Sequence, residues 1–273
     1  DLRLAAVGGL SQPAVLGLQE AFVMPAYRFC RSDDMGLLVA AYESCRGEED
    51  ATVPPLDRDS FKALVRELDL WCSSCMVALD GREPVAVVLG AKRTEATLVY
   101  GLRVNPKHRR RGHGRHLLTS LGQKLAILGP DRLVAEVPAE RAAACELFTA
   151  CGWTEEARLL DWRREGSAPI STAAPNHEAV AAIDLGELTS AGLLGSGARC
   201  WHRDPVALAK LGERVLGLGF HSTERLEAWL LYRVGALEWE ILAAGFVPGE
   251  LGRFGLAALV EDGSTIEFGI GRI

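Results

Sequence analysis

The chain has 273 residues, 48% of them hydrophobic, with 30 Lys and Arg against 36 Asp and Glu and a net charge of −6. That length and apolar content can supply two cores, and the acidic balance, with no interleaving of basic and aromatic residues, argues against a nucleic-acid partner. No apolar run approaches the roughly 18 residues of a membrane span, and seven scattered cysteines, an odd number, point to a reducing compartment, with the cytoplasm expected.

Residues 1–25 read as an N-terminal extension, apolar but without the basic start and cleavage site of a signal peptide, and expected to form one short strand and one helix. Asp59 to Leu70 is helix-like. Trp71-Cys72-Ser73-Ser74-Cys75 follows it and resembles a redox Cys-x-x-Cys. Redox sites of that kind open a helix after a strand, whereas here a helix precedes and a strand follows, so redox chemistry is not expected. Without a second Cys or His pair, neither is a metal site.

Ser74 to Leu79 and Val85 to Gly90 read as a hairpin joined at Asp80-Gly81. Tyr100 to Val104 is a β-prone run stopped by Pro106, and Leu117, Leu118, Leu121 and Leu125 then recur at helical spacing to about Ile127, placing a helix start near Gly112. The Ser/Ala/Pro stretch from Gly166 to Asn176 marks a linker over 166–177, separating a domain at 26–165 from a smaller one at 178–273. In the latter, Asp204 to Leu216 reads as a helix, Glu227 to Arg233 and Leu237 to Phe246 as strands, and Leu251 to Val260 as a helix before a final strand. That order parallels residues 57–137.

The most informative segment runs from Val104 to Leu118. A strand end, a basic glycine-containing turn and a helix start together make an anion site, because the first helical turn has backbone N–H groups without partners and carries the positive end of the helix dipole. Gly112 and Gly114 let a phosphate approach the backbone, and Lys107, Arg109, Arg110, Arg111 and Arg115 surround the same point with cationic donors. Neither the GxxxxGK[ST] nor the GxGxxG phosphate-loop pattern is present there.

Arg109-Arg-Arg-Gly112-His-Gly114 resembles the RxxGxG signature of the GNAT superfamily of acyl-CoA-dependent N-acetyltransferases. Downstream, Val134-Ala-Glu136-Val137, Ala142-Ala-Ala144 and Leu147 to Trp153 resemble that family's next strand, its following helix and that helix's glycine-aromatic ending; upstream, the hairpin resembles its central one. The likeness covers about Tyr27 to Arg164. It implies an α/β (α+β) GNAT fold with a mixed central sheet flanked by helices, followed by a second, smaller GNAT-like domain. It also implies acetyl-CoA as cosubstrate and transfer of its acetyl group to a primary amine of a small molecule or peptide. A homo-oligomer is compatible with the sequence.

The resemblance assigns roles residue by residue. Backbone groups at Leu102, Arg103 and Val104, on a strand that splays from its neighbour in the family, would face the pantetheine and thioester, and Arg109, Arg110, Arg111, Gly112, His113, Gly114 and Arg115 would hold the diphosphate. Glu136 is the candidate general base, aligned without gaps with that of the ribosomal-protein alanine acetyltransferases; Glu95 and Asp69 are weaker alternatives. Two positions depart from the pattern. Arg141 stands where the family usually has Asn, and Phe148, which cannot donate a proton, stands where it usually has Tyr; Cys145, Thr149 and Tyr100 are candidate substitutes. These departures keep a second reading open, a non-catalytic acyl-CoA-binding or protein-interaction module. The second half holds no RxxGxG and, around residues 244–253, only Arg253, so it is not expected to bind acyl-CoA. In the loop around Arg46 to Leu56, Glu48-Glu49-Asp50 reads either as an attractor for a cationic amine or as an exposed acidic tip.

Overall fold

The computed structural model describes residues 2–7, 25–159, 180–194, 200–235 and 239–270. The chain divides into two compact units, Asp1–Asp161 and Trp162–Ile273; the linker expected at 166–177 lies outside the described residues.

The first unit runs β1 (Leu2–Val7), β2 (Ala26–Phe29), α1 (Met35–Ser44), α2 (Arg58–Leu68), β3 (Met76–Asp80), β4 (Glu83–Lys92), β5 (Thr97–Val104), α3 (His113–Leu128), β6 (Arg132–Val137), α4 (Ala142–Ala150) and β7 (Thr154–Arg158). Local chemistry explains several boundaries. Asp57 accepts from the Ser60 amide at 2.7 Å to open α2, and Asp69, a non-glycine residue at φ 63°, closes it. Gly81, at φ 60°, makes the turn between β3 and β4.

These strands form one sheet in the order β2-β3-β4-β5-β6-β1-β7. All neighbours are antiparallel except β5 and β6, so the sheet is mixed and helices cover both faces. On one face Val99, Leu117, Leu121, Leu133, Ala135, Val137 and Phe148 pack together. On the other, Leu38 and Ala41 of α1 and Phe61 of α2 pack against Val77, Val87 and Leu89. The strand expected in the N-terminal extension is β1, whose register runs Leu2 opposite Val137 to Val7 opposite Arg132; the helix expected after it lies outside the described residues.

The second unit runs β8 (Val180–Ala182), α5 (Leu185–Ser190), α6 (Pro205–Leu211), β9 (Leu216–His221), β10 (Leu226–Val234), β11 (Trp239–Phe246) and α7 (Glu250–Ile270), with an antiparallel sheet in the order β11-β10-β9-β8. This repeats, element for element and in the same strand order, the series β2, α1, α2, β3, β4, β5, α3. Even the main-chain bond that ties the exit of the last strand to the start of its neighbour recurs: Asn105 N–H donates to the Val85 carbonyl at 2.9 Å, and Val247 N–H to the Glu227 carbonyl at 2.7 Å.

Two expectations for this unit are corrected. The helix stops at Leu211, followed by a turn at Gly212 (φ 56°) and then strand β9. Gly217 and Gly219 mask β9 in the sequence, since glycine weakens the strand signal; a Cβ at Gly217 would meet the Ile183 carbonyl oxygen at 2.2 Å, so close backbone approach requires the glycine. The final strand is absent among the described residues, because α7 continues to Ile270 and the helical run overrides the weak β preference of Thr265 and Ile266.

Candidate functional site

The site begins where β5 and β6 part. Their parallel pairing is confined to Thr97–Leu133, Leu98–Val134 and Val99–Ala135, and on the β4 side the register shifts between Leu89 and Gly90, leaving Tyr100 as a bulge. From Tyr100 to Val104 the β6-facing edge of β5 therefore lines an open wedge, as the resemblance implies.

The chain leaves β5 through Asn105, whose side-chain oxygen accepts from the Lys107 amide at 3.1 Å, makes a short turn at Pro106–His108, and reaches α3 at N-cap Gly112. Arg110 at φ 62° and Gly112 at φ 85° bend the backbone through the left-handed region. The first intrahelical bond is from His116 N–H to the Gly112 carbonyl, so the amides of His113, Gly114 and Arg115 have no acceptor within the helix. No side chain caps this start, whereas α2, α5 and α6 close theirs on Asp57, Asp184 and Asp204. Arg109, Arg110, Arg111 and Arg115 are exposed around it. An anion is the natural complement of such an end.

Three predicted contacts have other side-chain roles. His113 is buried, with its Nδ1 2.6 Å from the Tyr27 hydroxyl; burial, then His108, Arg111 and His116, hold its pKa below the ordinary value. Arg103 points to the α1/α2 face, where its guanidinium stacks 3.7 Å from the Tyr42 ring centroid and pairs with Glu43 and Asp50, each at 3.2 Å. Gly114 is buried: a Cβ there would lie 2.9 Å from Leu147 Cδ2, so its smallness serves helix packing.

The acidic loop answers to its expected readings only in part: Glu48 and Glu49 are exposed, as at an acidic tip, but Asp50 is not. Asp50 is 3% exposed and receives Arg103 on Oδ2 and Arg141 on Oδ1, the latter at 3.0 Å. Arg46 donates to the Asp50 carbonyl at 2.6 Å, and Glu49 pairs with Arg109. Burial raises the pKa of Glu43, but the Leu56 amide and the arginines at 46 and 103 outweigh it, leaving the carboxyl below its ordinary value. The carboxylates of Glu43, Glu49 and Asp50 are thus engaged by arginines of β5, the α3 turn and the start of α4. Arg141, the departure from the family pattern, is one of them.

Glu136 alternates with Leu133, Ala135 and Val137, which face the α3/α4 core, and so lies on the α1/α2 face of β6; the register places Arg3 of β1 opposite it. Asp69, a weaker candidate base, ends α2 and pairs with Arg93 at 2.9 Å. Glu95 is exposed in the β4–β5 turn, at the far end of β5 from the cradle. Phe148 is 4% exposed and packs edge-on against Trp153 at 4.9 Å. Thr149 donates to the Cys145 carbonyl at 2.9 Å. Tyr42 escaped sequence reasoning because α1 is distant in sequence. Its hydroxyl lies against Gly101 in the splayed part of β5, where a Cβ would come within 2.5 Å, and burial pushes its pKa up to about 12.

The Cys-x-x-Cys pair is structural. Cys75 is fully buried, its thiol donates to the Trp71 carbonyl at 3.2 Å, and burial pushes its pKa up, the reverse of a reactive thiol. All seven cysteines are free. Among the described residues no cluster could hold a metal ion and no helix is long and apolar enough to cross a membrane.

Among its described residues the second unit has no counterpart of the uncapped, arginine-flanked turn before α3. Only residues 247–249 separate β11 from α7, against 105–112 in the first unit. Acidic Glu250 opens α7, and the Val247 carbonyl oxygen packs so closely on Gly252 that a Cβ would meet it at 2.0 Å.

Residues 38–153 match the model of the acetyltransferase (GNAT) family. No curated protein matches the chain. Similar solved structures include a GCN5-related N-acetyltransferase from Sphaerobacter thermophilus, 17% identical, with a TM-score of 0.46 over 57% of this chain and 48% of that one, about half its length. They also include the ribosomal-protein-S18-alanine N-acetyltransferase of Escherichia coli (21% identity, TM-score 0.39, 47% and 77% covered). A third is an aminoglycoside acetyltransferase from an uncultured soil metagenomic sample, in complex with trehalose (15% identity, TM-score 0.44, 54% and 99% covered).

Proposed function

We propose that this chain, whose residues 38–153 match the model of the acetyltransferase (GNAT) family, transfers the acetyl group of acetyl-CoA to a primary amine of a small molecule or peptide. The observation that carries the proposal is the uncapped start of α3, with the amides of His113, Gly114 and Arg115 without a helical acceptor beside exposed arginines, on the chain that leaves β5 where its pairing to β6 has ended.

The residues present fit the group. Amides and guanidinium groups around Gly112 would hold the diphosphate, charge-assisted bonds contributing about 1.5–3 kcal/mol each, and the backbone of β5 at Leu102 to Val104, which has no β6 partner, would orient the pantetheine and polarise the thioester carbonyl. Glu136, on the α1/α2 face of β6, would take the proton of the attacking amine directly or through water, an effect of roughly 10²–10⁴ in rate. Thiolate can leave without a nearby acid at modest cost, since a thiol has a pKa of about 8.5; Phe148 in the core is therefore compatible with turnover.

The same phenylalanine favours a second reading, an acyl-CoA-binding module without catalysis. One experiment separates the two: release of free CoA thiol from acetyl-CoA, followed across a panel of amines, peptides and aminoglycosides, beside calorimetric CoA binding. Turnover abolished by Glu136→Gln supports the transferase. Saturable CoA binding with no turnover on any acceptor supports the module, and no CoA binding at all refutes both.

A further inference from the structure

Asp50 belongs to the loop between α1 and α2, yet its carboxylate is held by residues from two other elements. Arg103 is the penultimate residue of β5, and Arg141 stands just beyond β6 at the N-cap of α4. Those elements flank the wedge that opens after Val99 and Ala135. One carboxylate thus spans the divergence, with Arg103 Nε on Oδ2 at 3.2 Å and Arg141 Nη2 on Oδ1 at 3.0 Å.

The bridge is built into the core rather than laid over it. The side chains of Asp50 and Arg103 are 5% and 7% exposed. Arg103 is further fixed by the Tyr42 ring beneath it and the Tyr42 carbonyl at 2.9 Å, and the loop by Arg46 on the Asp50 carbonyl and the Glu43 carboxylate on the Leu56 amide. Opposite charges so placed resist displacement, since removing one partner strands the other in a poorly solvated site.

We infer that Asp50 is a positioning residue that fixes the width of the wedge and joins the α1–α2 loop to both of its walls. The inference rests on the transferase reading above, because it gives the wedge its purpose. The wedge separates the edge of β5, which would hold the thioester, from Glu136 on β6, so its width sets the alignment of carbonyl and base. Misalignment of reacting groups lowers the chemical step without touching the distant anion contacts. The amides at the start of α3 that would hold the diphosphate do not touch Asp50, and the same loop reaches that site only through the exposed Glu49–Arg109 pair, so affinity for CoA should depend on Asp50 only weakly. The arrangement also leaves the Asp50 carboxylate unable to recruit a cationic acceptor.

Asp50→Asn keeps the shape and removes the charge. In the full chain, hydrogen exchange of amides 47–56 and 100–104 should quicken by about tenfold or more as the buried arginines lose their partner. With any accepted amine, kcat should fall by about tenfold or more while the CoA dissociation constant stays within about threefold. Arg141→Gln, which cuts one arm of the bridge at a half-exposed position, should move both readouts in the same direction by less. Adding it to Asp50→Asn should change little further, as expected for groups acting as a unit. Unchanged exchange in Asp50→Asn overturns the bridge, even if the wild type proves to have no transferase activity. Quickened exchange with unchanged kcat, or with CoA affinity falling in step with kcat, overturns the positioning role and leaves the transferase reading standing. If Asp50→Asn does not fold, Arg141→Gln alone decides by the same criteria.

Discussion

Gly112 and Gly114 look alike in the signature and do different work. At Gly112 a side chain would find open space but an unfavourable backbone, φ 85°; an L-residue there costs about 1–2 kcal/mol. Gly112→Trp should therefore lose CoA binding with only that modest fall in unfolding free energy. Gly114 is packed against Leu147, and Gly114→Trp should fail in folding as well as in binding. Thermal melts beside calorimetry separate them. Arg109 is half-exposed and paired with Glu49, an arrangement worth about 0–1 kcal/mol. Arg109→Ala should leave the melting point almost unmoved, weaken CoA binding, and flatten its dependence on salt. His113 adds a pH effect. Its folded-state pKa lies below the ordinary 6.5, so on acidification the unfolded chain takes up this proton first and stability falls as pH drops through about 6.5. His113→Gln should lose less stability than the wild type between about pH 7.5 and about pH 5.5, measured by urea unfolding.

Strand β1 is the element whose contribution the sequence understated. Leu2–Val7 lies between β6 and β7, antiparallel to both, and is the sole strand partner of β7 among the described residues. Removing residues 1–7 should abolish exchange protection in Thr154–Arg158 and weaken it in Arg132–Val137, while the hairpin Met76–Lys92 keeps its protection; mass spectrometry of exchanged peptides reads all three. Because the register sets Arg3 opposite Glu136, the same truncation alters the surroundings of the candidate base. Elements with strong local signals were legible: α3 from its leucine spacing and Gly112, the β3–β4 hairpin from Asp80-Gly81, α2 from the helix-like run Asp59 to Leu70. Strand β9 was hidden by Gly217 and Gly219, which serve contacts that only the folded sheet contains.

At the scale of the whole molecule, the second unit repeats the element series of the first from β2 to α3 but not its anion site. We read it as a tandem, diverged half that keeps the framework and has lost the cradle, since a three-residue connection, Glu250 and the Val247 carbonyl leave no room or charge for a phosphate. Calorimetry of the full chain should give one CoA per chain, and Gly112→Trp should remove all of it; a residual site of comparable affinity would refute this reading.

The sequence by itself determined the features that depend on neighbours along the chain: the strand, turn and helix start of the anion site, the hairpin, and the order of elements that identifies the family resemblance. Capping, turn geometry and helical spacing act over a few residues, so they are written locally. Only the tertiary structure decided which face each side chain takes and which charge it meets. It set the Arg103 side chain against Tyr42 and Asp50 and that of His113 against Tyr27, placed β1 between β6 and β7, and drew Asp50 to arginines 53 and 91 positions away. Such pairings depend on the folded path of the backbone, and an isolated acidic loop carries no local signal of the cations that will enclose it.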